Sequence, residues 1–217
     1  MKNLMTHTNP SREFGEYKRL IEAQIDNSLH MGWDKKDIII ATNFPYEYAG
    51  IKSVVVPDSC FFERRPKASK LLVIDYMFDH EMIDDKCWFH DLDAFQLQPF
   101  AEGEPDLEGK DMGFATYNSD TYLTRWNAGS FFFEPSAKDM IKWIVRAMHK
   151  WDCAEEVAVC RLTANNTHNI NDRYKMLNCT YNLCKKTHPT KVPIDMYDLA
   201  DKPIKVIHEE FTNIYWS

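Results

Sequence analysis

Cys87-Trp88-Phe89-His90-Asp91-Leu92-Asp93-Ala94-Phe95 is the stretch that decides how the chain is read. An apolar lead-in runs into two carboxylates one residue apart, and an apolar tail follows. The lead-in has the composition of a buried strand in a mostly parallel sheet, and ligands of open α/β sheets gather beyond the carboxyl ends of such strands. Side chains at i and i+2 of a strand share a face, so at the strand's end Asp91 and Asp93 can converge. Convergent carboxylates are costly unless a cation or hydrogen-bond donors offset their charge. Mg²⁺ and Mn²⁺ suit oxygen ligands and share them readily with phosphates. The expectation is that Asp91 and Asp93 hold a divalent metal and that the metal holds a diphosphate. The plain alternative is two aspartates capping a turn, since Asp-X-Asp recurs by chance.

Ahead of this stretch, residues 3–7 read as a short first strand, with Thr8-Asn9-Pro10 as a turn. Ser11 can cap a helix in which Phe14, Tyr17, Leu20, Ile21, Ile25 and Leu29 keep helical spacing, closed by Gly32. Residues 37–42 and 53–56 read as buried strands, and Pro66 opens a helix through about residue 78. Beyond it, the acidic segment 99–111, with its prolines and glycines, reads as a loop. Residues 112–117 read as a strand, and Trp126-Asn127-Ala128-Gly129 as a turn running into a strand at 130–133. Ser136 and Asp139 resemble a capping box for an amphipathic helix carrying Met140, Ile141, Trp143, Ile144, Ala147, Met148 and Trp151. A second helix spans 154–164, segment 171–183 is mixed, and 204–208 reads as a last strand ending on His208. Alternating strands and helices predict an α/β fold on a mixed sheet, and without a repeat or clear linker one domain over 1–217 is the simplest expectation.

The whole chain sets limits. Its 217 residues suffice for a substantial core, and a net charge of −7 argues against a general nucleic-acid binder. A local basic cluster, Arg64, Arg65, Lys67 and Lys70, fits phosphate binding or a solvated helix start. Seven glycines and no GxGxxG or GxxxxGK[ST] argue against a Gly-rich phosphate loop. Six cysteines without CxxC spacing read as small apolar residues of a reducing compartment, and neither a leader nor a membrane-spanning run is evident. The expected setting is cytoplasmic, with no membrane insertion; the sequons at Asn165 and Asn178 then carry little meaning.

Three features together resemble glycosyltransferases of the GT-A fold: Asp91-Leu92-Asp93 as a DXD motif, Asn127-Ala128-Gly129 leading into an aromatic strand, and Ile207-His208 near the end. The layout covers most of the chain, and it looks most like a viral branch that modifies a major capsid protein. The resemblance implies a mixed, mostly parallel central sheet flanked by helices, a UDP-sugar donor carrying a hexose or a deoxyhexose such as glucose or rhamnose, Mn²⁺ or Mg²⁺, and a glycan or glycoprotein acceptor. By the same likeness, Asp91 meets ribose or metal, Asp93 ligates the metal, and His208 adds a nitrogen ligand that tilts the choice toward Mn²⁺. Thr6, His7 and Thr8 would cradle the uridine. Arg64, Lys67 and Lys70 would meet the donor, and Asn127, Ala128 and Gly129 would line the sugar or acceptor pocket. Glu155 and Glu156 would face the reacting sugar. Related retaining enzymes follow the late histidine with glycine and then lysine; here Glu209-Glu210-Phe211 follows, which puts the role of His208 in question or moves diphosphate binding to the upstream basic residues.

Each of these residues also has an ordinary reading. Glu155 and Glu156 suit the N-terminal end of a helix dipole, His208 a hydrogen-bonded strand end, and residues 131–133 a core. A metal-dependent phosphatase or nucleotide-sugar pyrophosphatase would use the same aspartates with an activated water, and a non-catalytic nucleotide- or sugar-binding module would use them for affinity alone. A hydrolase is expected to bring further carboxylates to the metal, which favours the transferase.

Overall fold

Leu4 and Met5, adjacent on the first strand and both fully buried, face opposite layers of the molecule. Successive side chains of a strand point to opposite faces, so a strand buried on both sides lies between two layers. The computed structural model describes residues 1–116, 126–184 and 196–208. In chain order they form β1 (Lys2–His7), α1 (Lys18–His30), β2 (Ile38–Thr42), β3 (Glu47–Tyr48), β4 (Ile51–Lys52), β5 (Val54–Val55), α2 (Ser69–Asp79), β6 (Cys87–His90) and β7 (Ala94–Gln96), followed by β8 (Met112–Thr116), β9 (Trp126–Phe133), α3 (Lys138–Trp151), α4 (Glu155–Ala164), β10 (Tyr174–Leu177), β11 (Leu183–Cys184), α5 (Met196–Leu199) and β12 (Val206–His208).

The central sheet has seven strands in the order β10-β8-β9-β6-β1-β2-β5. All neighbours are parallel except β9, which runs antiparallel to both β6 and β8. One face is covered by α2, α3 and α4, whose apolar residues meet Leu4, Phe89, Phe131 and Phe133. The other is covered by α1, through Ile21 and Ile25 against Met5, Ile38 and Ile40. Phe131, Phe132 and Phe133 are fully buried, and Phe132 points away from its neighbours toward Trp88, Ala94 and Val206. Burying each such ring stabilises the fold by roughly 1.5–3 kcal/mol. This is the expected mixed, mostly parallel sheet flanked by helices.

A second, three-stranded sheet, β11-β12-β7, matters most for the site. β7 follows the Asp91–Asp93 segment directly and pairs antiparallel with β12, placing His208 opposite Ala94. The last strand is thereby brought beside the second aspartate.

Three local expectations are corrected. Ser11 does not cap α1, which begins at Lys18 behind a 3₁₀ turn and has no side-chain cap. Trp126 to Gly129 is not a turn but the first half of β9, paired through Trp126 with Thr116 and through the Gly129 carbonyl, which accepts the Asp91 N–H at 2.8 Å. The register shift between Phe114 and Thr116 absorbs the irregularity in the ladder with β8. Ser136 and Asp139 form no capping box. Ser136 lies in a 3₁₀ turn and its hydroxyl donates to Asp111, while Asp139 pairs with Arg173 at 2.6 Å. Tyr117, expected at the end of the strand 112–117, and Glu209-Glu210-Phe211 lie outside the described residues.

Candidate metal centre

The aspartates leave the sheet at the carboxyl end of β6. Asp91 is the first residue beyond the strand, and its carbonyl accepts the Ala94 N–H at 3.0 Å, closing a tight turn around Leu92 and Asp93. Because β12 pairs with β7 immediately after that turn, His208 Nε2 lies 3.1 Å from Asp93 Oδ1. Asp91, Asp93 and His208 each present a ligand atom, all within 4.8 Å of one another, and no other such group of His, Cys, Asp or Glu occurs among the described residues. Two carboxylates and one imidazole form a donor set suited to Mn²⁺ or a similar divalent ion. The electrostatics fit a cation as well. Burial pushes the Asp91 carboxyl above its ordinary value, against the pull of Lys70 and His208. For Asp93 burial acts in the same sense, but the hydrogen bond and charge of His208 outweigh it and hold the group below the usual carboxylate range. His208 Nδ1 is buried and has no hydrogen-bond partner among the described residues.

Gly129 explains how the histidine fits. A methyl group there would lie 2.0 Å from His208 Cε1 and 2.3 Å from Nδ1. The absence of a side chain, rather than a turn, is what the Asn-Ala-Gly sequence supplies at this position. Gly129→Ala is therefore expected to displace the imidazole, lowering stability by about 1–3 kcal/mol through overpacking. Mn²⁺ affinity should fall with it, and thermal melting together with a Mn²⁺ titration checks both.

Lys70 sits at the centre of the site. It is buried, and its Nζ donates to both carboxylate oxygens of Asp91 and to the Ala128 carbonyl, all at 3.0 Å, and lies 3.1 Å from Glu155 Oε1. Burial works against its charge, yet Asp91 and Glu155 outweigh burial and hold its pKa above the ordinary lysine value. Glu155 is buried at the start of α4, and Glu156 beside it accepts the Ala128 N–H at 3.0 Å. Glu155 thus shares Lys70 with Asp91, and Glu156 reaches β9. Asn127 is buried, its side-chain oxygen accepting the Gly129 N–H at 3.0 Å.

The basic residues expected to act together are separated. Lys70 points into the site, Arg64 pairs on the surface with Asp152 at 3.0 Å, and Lys67 is exposed. The reason is helical geometry: Lys70 lies on the inward face of α2 with Leu71 and Ile74, whereas residues 64–67 precede that helix.

β1 is parallel to β6, so its carboxyl end opens on the same edge of the sheet. There Thr6 is half-buried, and His7 Nε2 and Thr8 Oγ1 are buried without hydrogen-bond partners among the described residues. Burial lowers the His7 pKa, and its ring stacks on Phe14 at 5.0 Å. Unpaired polar atoms of this kind are what an incoming base or ribose would satisfy.

Behind the turn lies a polar network that the sequence motifs do not announce. His90 is buried, and burial drives its pKa down to about 4. Its Nε2–H donates to Asn3 Oδ1 at 2.9 Å, and Asn3 Nδ2 donates to Ser28 Oγ at 2.9 Å. Gln24, one turn earlier on α1, reaches the turn itself. The available signal was position: Ile21, Gln24, Ile25 and Ser28 form one buried stripe on α1.

No family model and no curated protein sequence matches the chain. Solved structures with a similar fold include glycosyltransferases. The galactosyltransferase LgtC, determined with donor and acceptor sugar analogues, aligns with a TM-score of 0.62 at 10% identity, covering 96% of this chain and 87% of that one. A glycosyltransferase involved in glycosylation of the major capsid of PBCV-1 gives 0.61 at 12% identity, covering 98% and 95%. Mouse xyloside xylosyltransferase 1 gives 0.57 at 12% identity, covering 97% of each chain. The fold is that of the GT-A glycosyltransferases.

Proposed function

We propose that the protein is a metal-dependent glycosyltransferase that moves a hexose or deoxyhexose, such as glucose or rhamnose, from a UDP-sugar to a glycan acceptor with retention. The observation that carries this reading is the convergence of Asp91, Asp93 and His208 beyond the end of β6. These three residues would hold Mn²⁺ or Mg²⁺. The ion would supply positive charge where the departing diphosphate builds negative charge, which favours the transition state over the ground state. The unpaired polar atoms of His7 and Thr8 support a nucleoside subsite at the end of β1. Lys70 would hold Asp91 and Glu155 in fixed positions, and Glu155 and Glu156 would set negative charge near an oxocarbenium-like sugar. Juxtaposing acceptor hydroxyl and anomeric carbon would supply the remaining advantage. A retaining reaction needs no separate base at the acceptor, in keeping with the engagement of Glu155 by Lys70.

The likeness to the PBCV-1 capsid glycosyltransferase favours a capsid glycoprotein as acceptor and the host cytoplasm as the setting. No described helix is long and apolar enough to cross a membrane, and Cys60, Cys87 and Cys153 are buried thiols, in keeping with a reducing compartment. A panel of nucleotide-sugars, assayed for slow release of UDP with and without Mn²⁺, tests the reading. One or a few UDP-sugars should turn over in a Mn²⁺-dependent manner. Release from none, or equal release with and without metal, would reject it. A phosphatase or pyrophosphatase would instead release sugar phosphate or inorganic phosphate in the same assay.

A further inference from the structure

Gln24 is fully buried on the face of α1 that otherwise presents Ile21 and Ile25 to the core. A carboxamide in such a place is costly unless its hydrogen bonds are made. Its Nε2 makes two, donating to the Leu92 carbonyl at 2.7 Å and to the Ala94 carbonyl at 3.0 Å. Its own oxygen finds no partner among the described residues. The donor end of this side chain therefore accounts for its position in the core.

The two carbonyls it holds belong to the residues on either side of Asp93. The turn is fixed at its other points too: Asp91 N–H donates to the Gly129 carbonyl, and Ala94 N–H donates to the Asp91 carbonyl. Leu92 also packs against the apolar cluster that includes Ile21 and Ile25 of α1. Between the Gly129 bond on one side and Gln24 on the other, the backbone carrying both aspartates is held in place by protein groups alone. A metal site gains affinity when its ligands are held in the binding geometry by groups behind them.

We infer that Gln24 is a positioning residue that presets the Asp91–Asp93 turn for cation binding. This rests on the reading of Asp91, Asp93 and His208 as a metal centre. Without the two bonds, the Leu92 carbonyl would lose its side-chain donor and the Ala94 carbonyl would keep only the His90 ring beside it, and the turn would rotate to find donors. That motion would carry Asp93 away from His208.

Asn27, one position ahead of Ser28 on the same helix, supplies an internal comparison. Its Nδ2 donates to the Gln96 carbonyl at 3.1 Å, two residues beyond the turn. Asn27→Leu removes a bond of the same kind between the same helix and the same segment, but not one that flanks Asp93. Gln24→Met keeps the length of the side chain and removes its donors. Gln24→Asn keeps an amide but is one methylene too short to reach both carbonyls.

The experiment is a calorimetric titration of Mn²⁺ into each protein with saturating UDP, alongside thermal melting and a metal-free UDP titration. Gln24→Met and Gln24→Asn should bind Mn²⁺ about 10- to 100-fold more weakly than the parent, the range for groups that orient metal ligands. Asn27→Leu should lower the melting temperature while leaving Mn²⁺ affinity within about twofold of the parent, because the bond it loses does not orient a ligand. Metal-free UDP affinity should be unchanged in all of them. Should Gln24→Met not fold, Gln24→Asn carries the test. Parent-like Mn²⁺ affinity in a folded Gln24 variant overturns the positioning role. If the parent itself binds no Mn²⁺, the metal centre fails as a reading and the inference goes with it.

Discussion

Asp93→Ala is expected to abolish the Mn²⁺-dependent gain in UDP affinity while the chain stays folded. Loss of a group that only orients a metal ligand costs about 10- to 100-fold in affinity, so loss of a ligand should exceed about 100-fold. Asp93 is the cleaner of the two aspartates to remove. Its side chain is partly exposed and bonds to His208, so the loss in stability should be near 1 kcal/mol, the worth of a typical hydrogen bond. Asp91, by contrast, neutralises buried Lys70, and its removal would confound binding with folding. Calorimetry with UDP, with and without Mn²⁺, reads the effect directly. An unchanged metal-dependent gain would remove Asp93 from the site.

Lys70→Met should be the most destabilising single change at the site. The ammonium offsets two carboxylates, Asp91 and buried Glu155, and also bonds the Ala128 carbonyl. Breaking a buried ion pair from one side typically costs about 3–5 kcal/mol, because a charge is left without compensation. In a chain of this size that lowers the melting temperature by on the order of 10 °C. The double variant Lys70→Met with Glu155→Gln should recover a good part of the loss, since the two side chains are coupled. The lysine's raised pKa gives the pH dependence its sign. The stabilisation is complete below the ordinary lysine value and is lost only as pH rises through the higher folded value, so the ion pair persists across the neutral range. Equal melting temperatures for parent and Lys70→Met would show that the pair contributes nothing net to stability.

Much of this architecture was legible because burial on two faces leaves a plain mark. Cys87 to Phe89 carried the unbroken apolar run of an interior strand, and Met140, Ile141, Ile144 and Met148 the apolar stripe of a helix packed on a core. The aspartates could be assigned to a strand end because polarity changes abruptly at residue 91. Long-range pairing was harder to read. Asn127, Ala128 and Gly129 have the local chemistry of a turn, yet ladder partners at Trp126 and Ser130 and the Asp91 N–H on the Gly129 carbonyl hold them in β9, and the ring of His208 occupies the space above Gly129. Local preference gave way to partners remote in sequence. The basic residues 64–70 read as one cluster because spacing alone does not show which of them turns inward. Gln24 passed as an ordinary helix residue, although its place between Ile21 and Ile25 marked it as buried.

His208 stands 115 residues beyond Asp93 and reaches it only when β12 has docked on β7. On a ribosome, a nascent chain would expose Asp91 and Asp93 long before His208 was made. The trio can close only after β12 has paired with β7. If the three residues hold an ion as proposed, its capture would favour the form in which β12 is docked by mass action, so the same cation would act as a clasp on that strand.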